Sequence, residues 1–289
     1  MSDEASNLVP TGASGLIVAI QYYAKDEARA LRLARLLADI EPVRRSEEVT
    51  LAFCRRFDCE ESAEARRTFM HCGQKFGVMT LQSKREGVGH PAGCNELMGG
   101  VLDHLGGMWQ AGRLNRSSVF LVEPDGCPLQ PDWLDHLITE HERALEAGHG
   151  ITGPYMGFLP HINGTLVMHV PWWIDHPSVH RTPPDQGWDI FHRETLLAAA
   201  YRTKLILNIH GSRRWTSDQL GPLGQEFAWL TSVKDTSVVD WAEQALVPLE
   251  ARRLRDLREE VEVLRAERAA DAVGVDGGLT LARRVSVKG

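Results

Sequence analysis

No stretch of this chain approaches the roughly 18–20 uninterrupted apolar residues that a membrane-spanning helix requires, so the sequence predicts no membrane partner. The N-terminus, MSDEASNLVPTGASG, lacks a basic segment followed by an apolar run and does not read as a secretory signal. Cysteine is sparse: Cys54, Cys59, Cys72, Cys94 and Cys127 are five in number, scattered and without a CxxC pair. That argues against a disulfide framework and for a reduced, cytoplasmic setting. His71 and Cys72 lie near Cys54 and Cys59 in sequence, but their spacing fits no common zinc pattern. Excess positive charge is also missing. With 32 Lys and Arg against 39 Asp and Glu, the net charge is −7, so the molecule as a whole does not attract nucleic acid, although a local basic face remains compatible. There is no internal repeat.

What is present is an alternation of short apolar runs and helical patterns over the first half of the chain. At 289 residues and 43% hydrophobic, the chain is long enough to bury a large core as one domain or as a domain with an appendage. Residues 1–14 read as a flexible arm. Leu16–Tyr22, Val49–Cys54, Phe76–Leu81 and Val119–Val122 read as buried strands. Between them lie a helix with Ala30, Leu33, Ala34, Leu37 and Ile40 at helical spacing, a charged helix over Ser62–His71, and a glycine-rich loop that enters a helix near Gly93 to Asn95. Asp26 is placed to cap the first of these. A further helix opens at Pro131-Asp132-Trp133. This order predicts an α/β fold with an open, mostly parallel sheet flanked by helices. Beyond residue 150 the pattern loosens, with short strands at 151–153, 165–170 and 204–209. Residues 240–272 read as a long charged helix, in which Leu254, Leu257, Val261 and Leu264 repeat at 3–4–3 spacing. It packs on its own domain or frays in water, or else it forms a homodimer seam. Residues 273–289 read as a flexible tail.

The strongest chemical signal is VFLVEPDGCPLQPDWLDHL, residues 119–137. An apolar strand stops at two carboxylates, Glu123 and Asp125, separated by one proline. Ligands of open α/β sheets collect at the carboxyl ends of strands, and two hard oxygen ligands there suit Mg²⁺ or Mn²⁺ shared with phosphate oxygens. The alternative is a pair of acids that caps and solubilises the strand end.

This stretch resembles the Asp-x-Asp region of GT-A glycosyltransferases, with Glu in place of the first acid. The resemblance implies a Rossmann-like GT-A domain over residues 15–239 that binds a nucleotide-diphosphate sugar and a divalent metal. Gln21 and Tyr22 would lie near the nucleotide base, Asp58 near the base or ribose, and Asn95 at the helix entry flanking the donor. His161, Asn163 and Gly164 would line the acceptor side, although Asn-Gly is also a strong hairpin-turn signal. Asp189 would begin a helix running to Ala200 and act as the base for an inverting transfer. Its plain alternative is helix capping, and Trp188 stands where a neighbouring acid is usual. His210 would complete the metal shell, and Arg213 and Arg214 would meet the diphosphate or else form a basic surface loop.

The layout also resembles phage-type GT-A enzymes that glucosylate hydroxymethylated bases in DNA. An acceptor of that kind is flipped out of the duplex, and the aromatics around Tyr155, Phe158, Trp172, Trp173 and Trp188 are candidate stacking faces. Two other classes stay open. A nucleotidyltransferase on a related fold would carry a glycine-rich basic loop after the first strand, where this chain has Ala24-Lys25-Asp26. A non-catalytic nucleotide-sugar-binding module would oligomerise through the 240–272 helix.

Overall fold

The structure, a computed structural model, describes residues 15–253 except 158, 212 and 213, together with 257, 261, 263–265 and 268; for His210, Gly211 and Val233 it describes the backbone. Two compact units divide between Leu246 and Val247.

The first unit runs β1 (Leu16–Tyr22), α1 (Glu27–Ile40), β2 (Val49–Arg55), α2 (Ala63–Cys72), β3 (Gly77–Gln82), α3 (Ala92–Gln110), β4 (Ser118–Val122), β5 (Cys127–Pro128) and α4 (Trp133–Glu146). It continues through β6 (Ile151–Met156), β7 (His161–Ile162), β8 (Leu166–His169), α5 (Val170–Asp175), α6 (Trp188–Phe191), α7 (Arg193–Ala199), β9 (Ala200–Thr203) and β10 (Ile206–Gly211). It closes with α8 (Ser217–Glu226), β11 (Trp229–Val233) and α9 (Ser237–Ala245).

The main sheet has the order β3-β2-β1-β4-β8-β6-β7, with β9 on β6. Strands β3, β2, β1 and β4 are parallel, and β8 joins β4 antiparallel. The first four expected strands are in place within a residue or two. A small second sheet, β10-β11-β5, was not read from the sequence.

Period-two alternation explains why the runs are apolar throughout. Leu16, Val18 and Ile20 of β1, with Val49, Leu51 and Phe53 of β2, face a core shared with α1 residues Leu33 and Leu37. Ile17 and Ala19 face the opposite core, shared with Val101, Leu102 and Leu105 of α3. Both faces are covered, so the polar side chains of these strands are confined to Thr50 and to the carboxyl ends, Gln21 and Arg55. Burying each large aliphatic side chain contributes about 1.5–3 kcal/mol.

Two expectations for helices are corrected. The helix expected from Asp189 to Ala200 is interrupted at His192, whose ring bonds the carbonyl of Arg181 at 2.9 Å, and α6 and α7 lie on either side of it. The helix expected over 240–272 stops at Ala245 and resumes at Leu249. Pro248 lacks the N–H that a helix interior needs and suits a helix start. Leu257, Val261 and Leu264 are exposed, while Leu254 lies outside the described residues. All five cysteines are free. Among the described residues no helix is long and apolar enough to cross a membrane.

His141 of α4 locks the helix to the sheet. It is 3% exposed and bridges Thr152 Oγ1 at 2.9 Å and Ser118 Oγ at 3.0 Å. Burial, with a smaller contribution from His169, pushes its pKa down to about 3. The ring is therefore neutral when folded, and in the unfolded chain it protonates near pH 6.5. Its stabilisation is complete above about pH 6.5 and is lost as pH falls toward 3, at up to ~1.4 kcal/mol per pH unit. Urea unfolding across this range is expected to show His141→Gln as destabilised near neutrality, with the gap to wild type narrowing as the pH drops.

Candidate active site

The site forms where the sheet changes direction. From β1 the chain crosses through α1 on one face to reach β2, and from β3 it crosses through α3 on the other face to reach β4. Strands β1 and β4 are hydrogen-bonded neighbours, so their carboxyl ends flank a crevice that no crossover covers. This is the ligand position of open α/β sheets.

Beyond Val122 the chain makes a tight turn, Glu123-Pro124-Asp125-Gly126, closed by Gly126 N–H donating to the Glu123 carbonyl at 3.0 Å. Proline at the second position and glycine at the fourth are what such a turn prefers. Gly126 is also required by packing, since a Cβ there would lie 2.7 Å from Nε1 of Trp229. That indole is fully buried and packs on Phe120 and Trp133 with ring centroids 5.1 Å away in each case. The turn hands the chain from the large sheet to β5, which pairs antiparallel with β11.

Carboxylates crowd this turn. Glu123 is solvent-accessible yet walled by protein, as a side chain in a concave crevice is. Desolvation, then the charges of Asp125, Asp189 and Asp26, push its pKa up to about 7 despite the opposing charge of Lys234. Asp26 is raised as well, first by desolvation, with Asp125 contributing. It makes no side-chain capping bond to α1, so the expected capping role gives way to membership of this acidic group. Asp125 is nearly buried, at 7% side-chain exposure, and its Oδ2 pairs with the Lys234 ammonium. Its Oδ1 is buried and has no hydrogen-bond partner. Cys94, at the first turn of α3, is an electrostatic neighbour of Glu123.

Asp189 joins the group from α6. Desolvation raises its pKa, against the charges of His161 and His90. Oδ2 lies 3.8 Å from Nε2 of His161, and Oδ1 accepts from the Ile190 N–H at 3.0 Å. Asn95 holds this segment down. Its amide donates to the Gln186 carbonyl at 2.8 Å, and its Oδ1 accepts the Trp188 N–H at 3.0 Å. Asn95 thus positions Asp189. Trp188 itself is buried at 4%, and its indole donates to the Val179 carbonyl.

The remaining expected residues are placed as follows. Tyr22 is 1% exposed and part of the core. The aromatic next to it, Tyr23, carries the Arg56 guanidinium 5.0 Å over its ring. Arg56 in turn grips Asp58 through two 2.6 Å bonds, which hold the Asp58 carboxyl below its ordinary range. Gln21 is half-buried at the end of β1. Asn163 and Gly164 are not at a hairpin tip. That turn lies between Met156 and His161, and Asn163 Oδ1 accepts from the Thr165 N–H where the returning strand shifts register between β7 and β8. Arg214 is exposed near Asp235. Arg213, Phe158 and the His210 side chain lie outside the described residues.

Trp172 and Trp173 are core residues that stack on His176 and His180, at centroid distances of 4.3 and 4.1 Å. Three of the expected aromatic faces are therefore not surface platforms. Tyr155 is one, with Arg202 4.8 Å above its ring. It lines an open groove of about 630 Å³ together with Met156, Lys204, Asn208 and Phe227. The groove shares no lining residue with the acidic cluster, but Met156 pairs across the hairpin with His161.

Sequence reasoning did not single out Asp26, Tyr23 or Lys234 for the site. The first two follow the first strand, a position that itself signals a site. Lys234 directly follows β11, a strand whose pairing only the fold reveals.

No protein-family profile and no curated protein matches this sequence. Among solved structures, the chain is similar to the apo structure of WbbM, a bifunctional glycosyltransferase, with a TM-score of 0.52 and 9% identity. The match covers 86% of this chain and 52% of that one, so the chain spans about half the length of WbbM. It is also similar to mouse xyloside xylosyltransferase 1 in its apo form, with a TM-score of 0.47 and 10% identity, over 75% of this chain and 96% of that one. The likeness to WbbM is one of fold, and it agrees with the GT-A-like, Rossmann-like architecture of the main sheet.

Replacing Asn95 by Ala removes both clamps on the 186–188 backbone. The expected loss is about 1–3 kcal/mol. Hydrogen exchange is expected to rise selectively over residues 186–191, whereas uniform exchange across the chain would show that Asn95 does not anchor α6.

Proposed function

We propose that this chain transfers a sugar from a nucleotide-diphosphate donor to a hydroxyl acceptor, with Mn²⁺ or Mg²⁺ held by Glu123 and Asp125. The observation that carries the reading is the Glu-Pro-Asp-Gly turn at the switch point, where Asp125 Oδ1 is buried without a partner. A buried, unpaired carboxylate oxygen is costly, and a cation would satisfy it. Among the described residues no third His, Cys, Asp or Glu completes a cluster of three. Two carboxylates plus phosphate oxygens and water suit Mg²⁺ or Mn²⁺, and His210 is the residue proposed to extend the shell. When bound, the ion would act as a Lewis acid on the departing diphosphate.

The chain's own residues supply the rest. Tyr23, stiffened by the Arg56–Asp58 pair, borders the nucleoside side together with Gln21, and Arg213 and Arg214 are the proposed diphosphate contacts. In an inverting transfer Asp189 takes the acceptor's proton as that oxygen attacks the anomeric carbon. The bond from this carbon to the donor phosphate oxygen breaks, and its electron pair leaves with the nucleoside diphosphate. Burial raises the Asp189 pKa toward the operating pH, which favours a general base. We place the acceptor in the groove beside Tyr155, where Arg202 and Lys204 outweigh Glu226 and leave a positive balance next to an exposed aromatic. That chemistry suits a flipped base and its phosphates, so DNA carrying hydroxymethylated bases is the acceptor to assay first.

A thermal-shift screen of nucleotide sugars with and without Mn²⁺ identifies the donor by ligand-linked stabilisation. Asp125→Asn is expected to lose the Mn²⁺-dependent shift and turnover. Asp189→Asn is expected to keep the shift and lose roughly 10²–10⁴-fold in transfer. Wild-type transfer by Asp125→Asn would overturn the metal assignment.

The raised Glu123 pKa gives a pH signature. A protonated carboxyl cannot ligate the ion, so Mn²⁺ affinity is expected to be full above pH about 7 and to fall below it. The decline is up to ~tenfold per pH unit. Calorimetric titration of Glu123→Gln is expected to give weaker binding without this inflection.

A further inference from the structure

We propose that Lys234 is a resident counter-cation, which holds Asp125 when no divalent ion is present and is displaced when one binds. This lysine would then set the metal affinity of the site. The inference rests on the metal reading above. Asp26, Glu123, Asp125 and Asp189 act on one another electrostatically around the crevice, although among the described residues no three of them form a ligand cluster. Lys234 bonds Asp125 directly, and its charge acts on Glu123 and Asp26 as well.

The two partners differ in freedom. Asp125 is 7% exposed and fixed in a four-residue turn, while the Lys234 side chain is 58% exposed. Their backbones are held near each other because β11, which ends one residue before Lys234, pairs antiparallel with β5, which begins two residues after Asp125. Lysine is a point charge on a flexible stem and demands no particular geometry, so it can leave a carboxylate without rearranging the turn. The exposed ammonium regains water when it leaves, and the buried Asp125 carboxylate is not left unpaired, because the incoming cation takes over its charge. Lys234 takes Oδ2 and leaves Oδ1 unpartnered. The bond therefore offsets the local charge without using up the ligand capacity of Asp125. An ammonium retained beside a divalent ion would oppose binding at close range even in high dielectric.

The test uses Mn²⁺ alone, titrated into the full chain by calorimetry and by electron paramagnetic resonance of the free ion, at a pH above the Glu123 titration. Lys234→Gln is expected to bind Mn²⁺ at least about tenfold more tightly than wild type, and Lys234→Arg, which keeps the charge, no more tightly than wild type. Equal or weaker binding by Lys234→Gln overturns the proposal and leaves the metal reading standing. Saturable Mn²⁺ binding by none of the three proteins overturns both.

Discussion

Mutual repulsion among carboxylates is the constraint around which this site is arranged. The switch point brings the ends of β1 and β4 side by side, and each is followed by acid: Asp26 after one, Glu123 and Asp125 after the other. Asp189 is added from α6. Desolvation first, and the neighbouring like charges after it, raise the pKa of Glu123 and of Asp26 in this partly dry crevice. The fold tolerates the arrangement because Lys234 is delivered from a different sheet and because Glu123 keeps access to water.

The second sheet is what makes that delivery possible. Strand β5 is only two residues long, yet it ties the acid turn to β11, and Thr165 Oγ1 and Thr231 Oγ1, 2.8 Å apart, join the two sheets deeper in the interior. The cluster of Phe120, Trp133 and Trp229 fills the space behind the turn. Charge sits on one side of a four-residue segment and dense aromatic packing on the other, so the core holds the backbone of the turn from which Glu123 and Asp125 project.

The parallel half of the fold was legible because β1, β2 and β4 are buried on both faces and read as largely apolar runs, and the edge strand β3 kept enough of that pattern in Val78, Met79 and Leu81 to be read with them. The Glu-Pro-Asp step was legible for the same reason: polarity begins abruptly where the sheet ends. What stayed hidden depends on pairing across long separations. β5, β7, β9 and β11 are short and carry no distinctive periodicity, and Lys234 looks like any surface lysine until β11 is set beside β5. The Asn163-Gly164 pair looked like a hairpin turn because the dipeptide favours one, but it lies in the break between β7 and β8, where the register on β6 shifts. Trp172, Trp173 and Trp188 looked like candidate stacking surfaces because composition does not distinguish a buried indole from an exposed one. Tyr22 and Tyr23 show the same ambiguity at single-residue resolution, since alternation puts the first in the core and frees the second.

The contact between Gly126 and the Trp229 indole carries a consequence for how such chains diverge. The two positions are 103 residues apart in number, yet neither can vary alone. A methyl at 126 requires a smaller ring at 229, and a smaller ring at 229 opens a void beneath the turn that a methyl at 126 would fill. Related chains are therefore expected to change these positions as a pair, and a lineage that keeps the glycine is expected to keep the tryptophan.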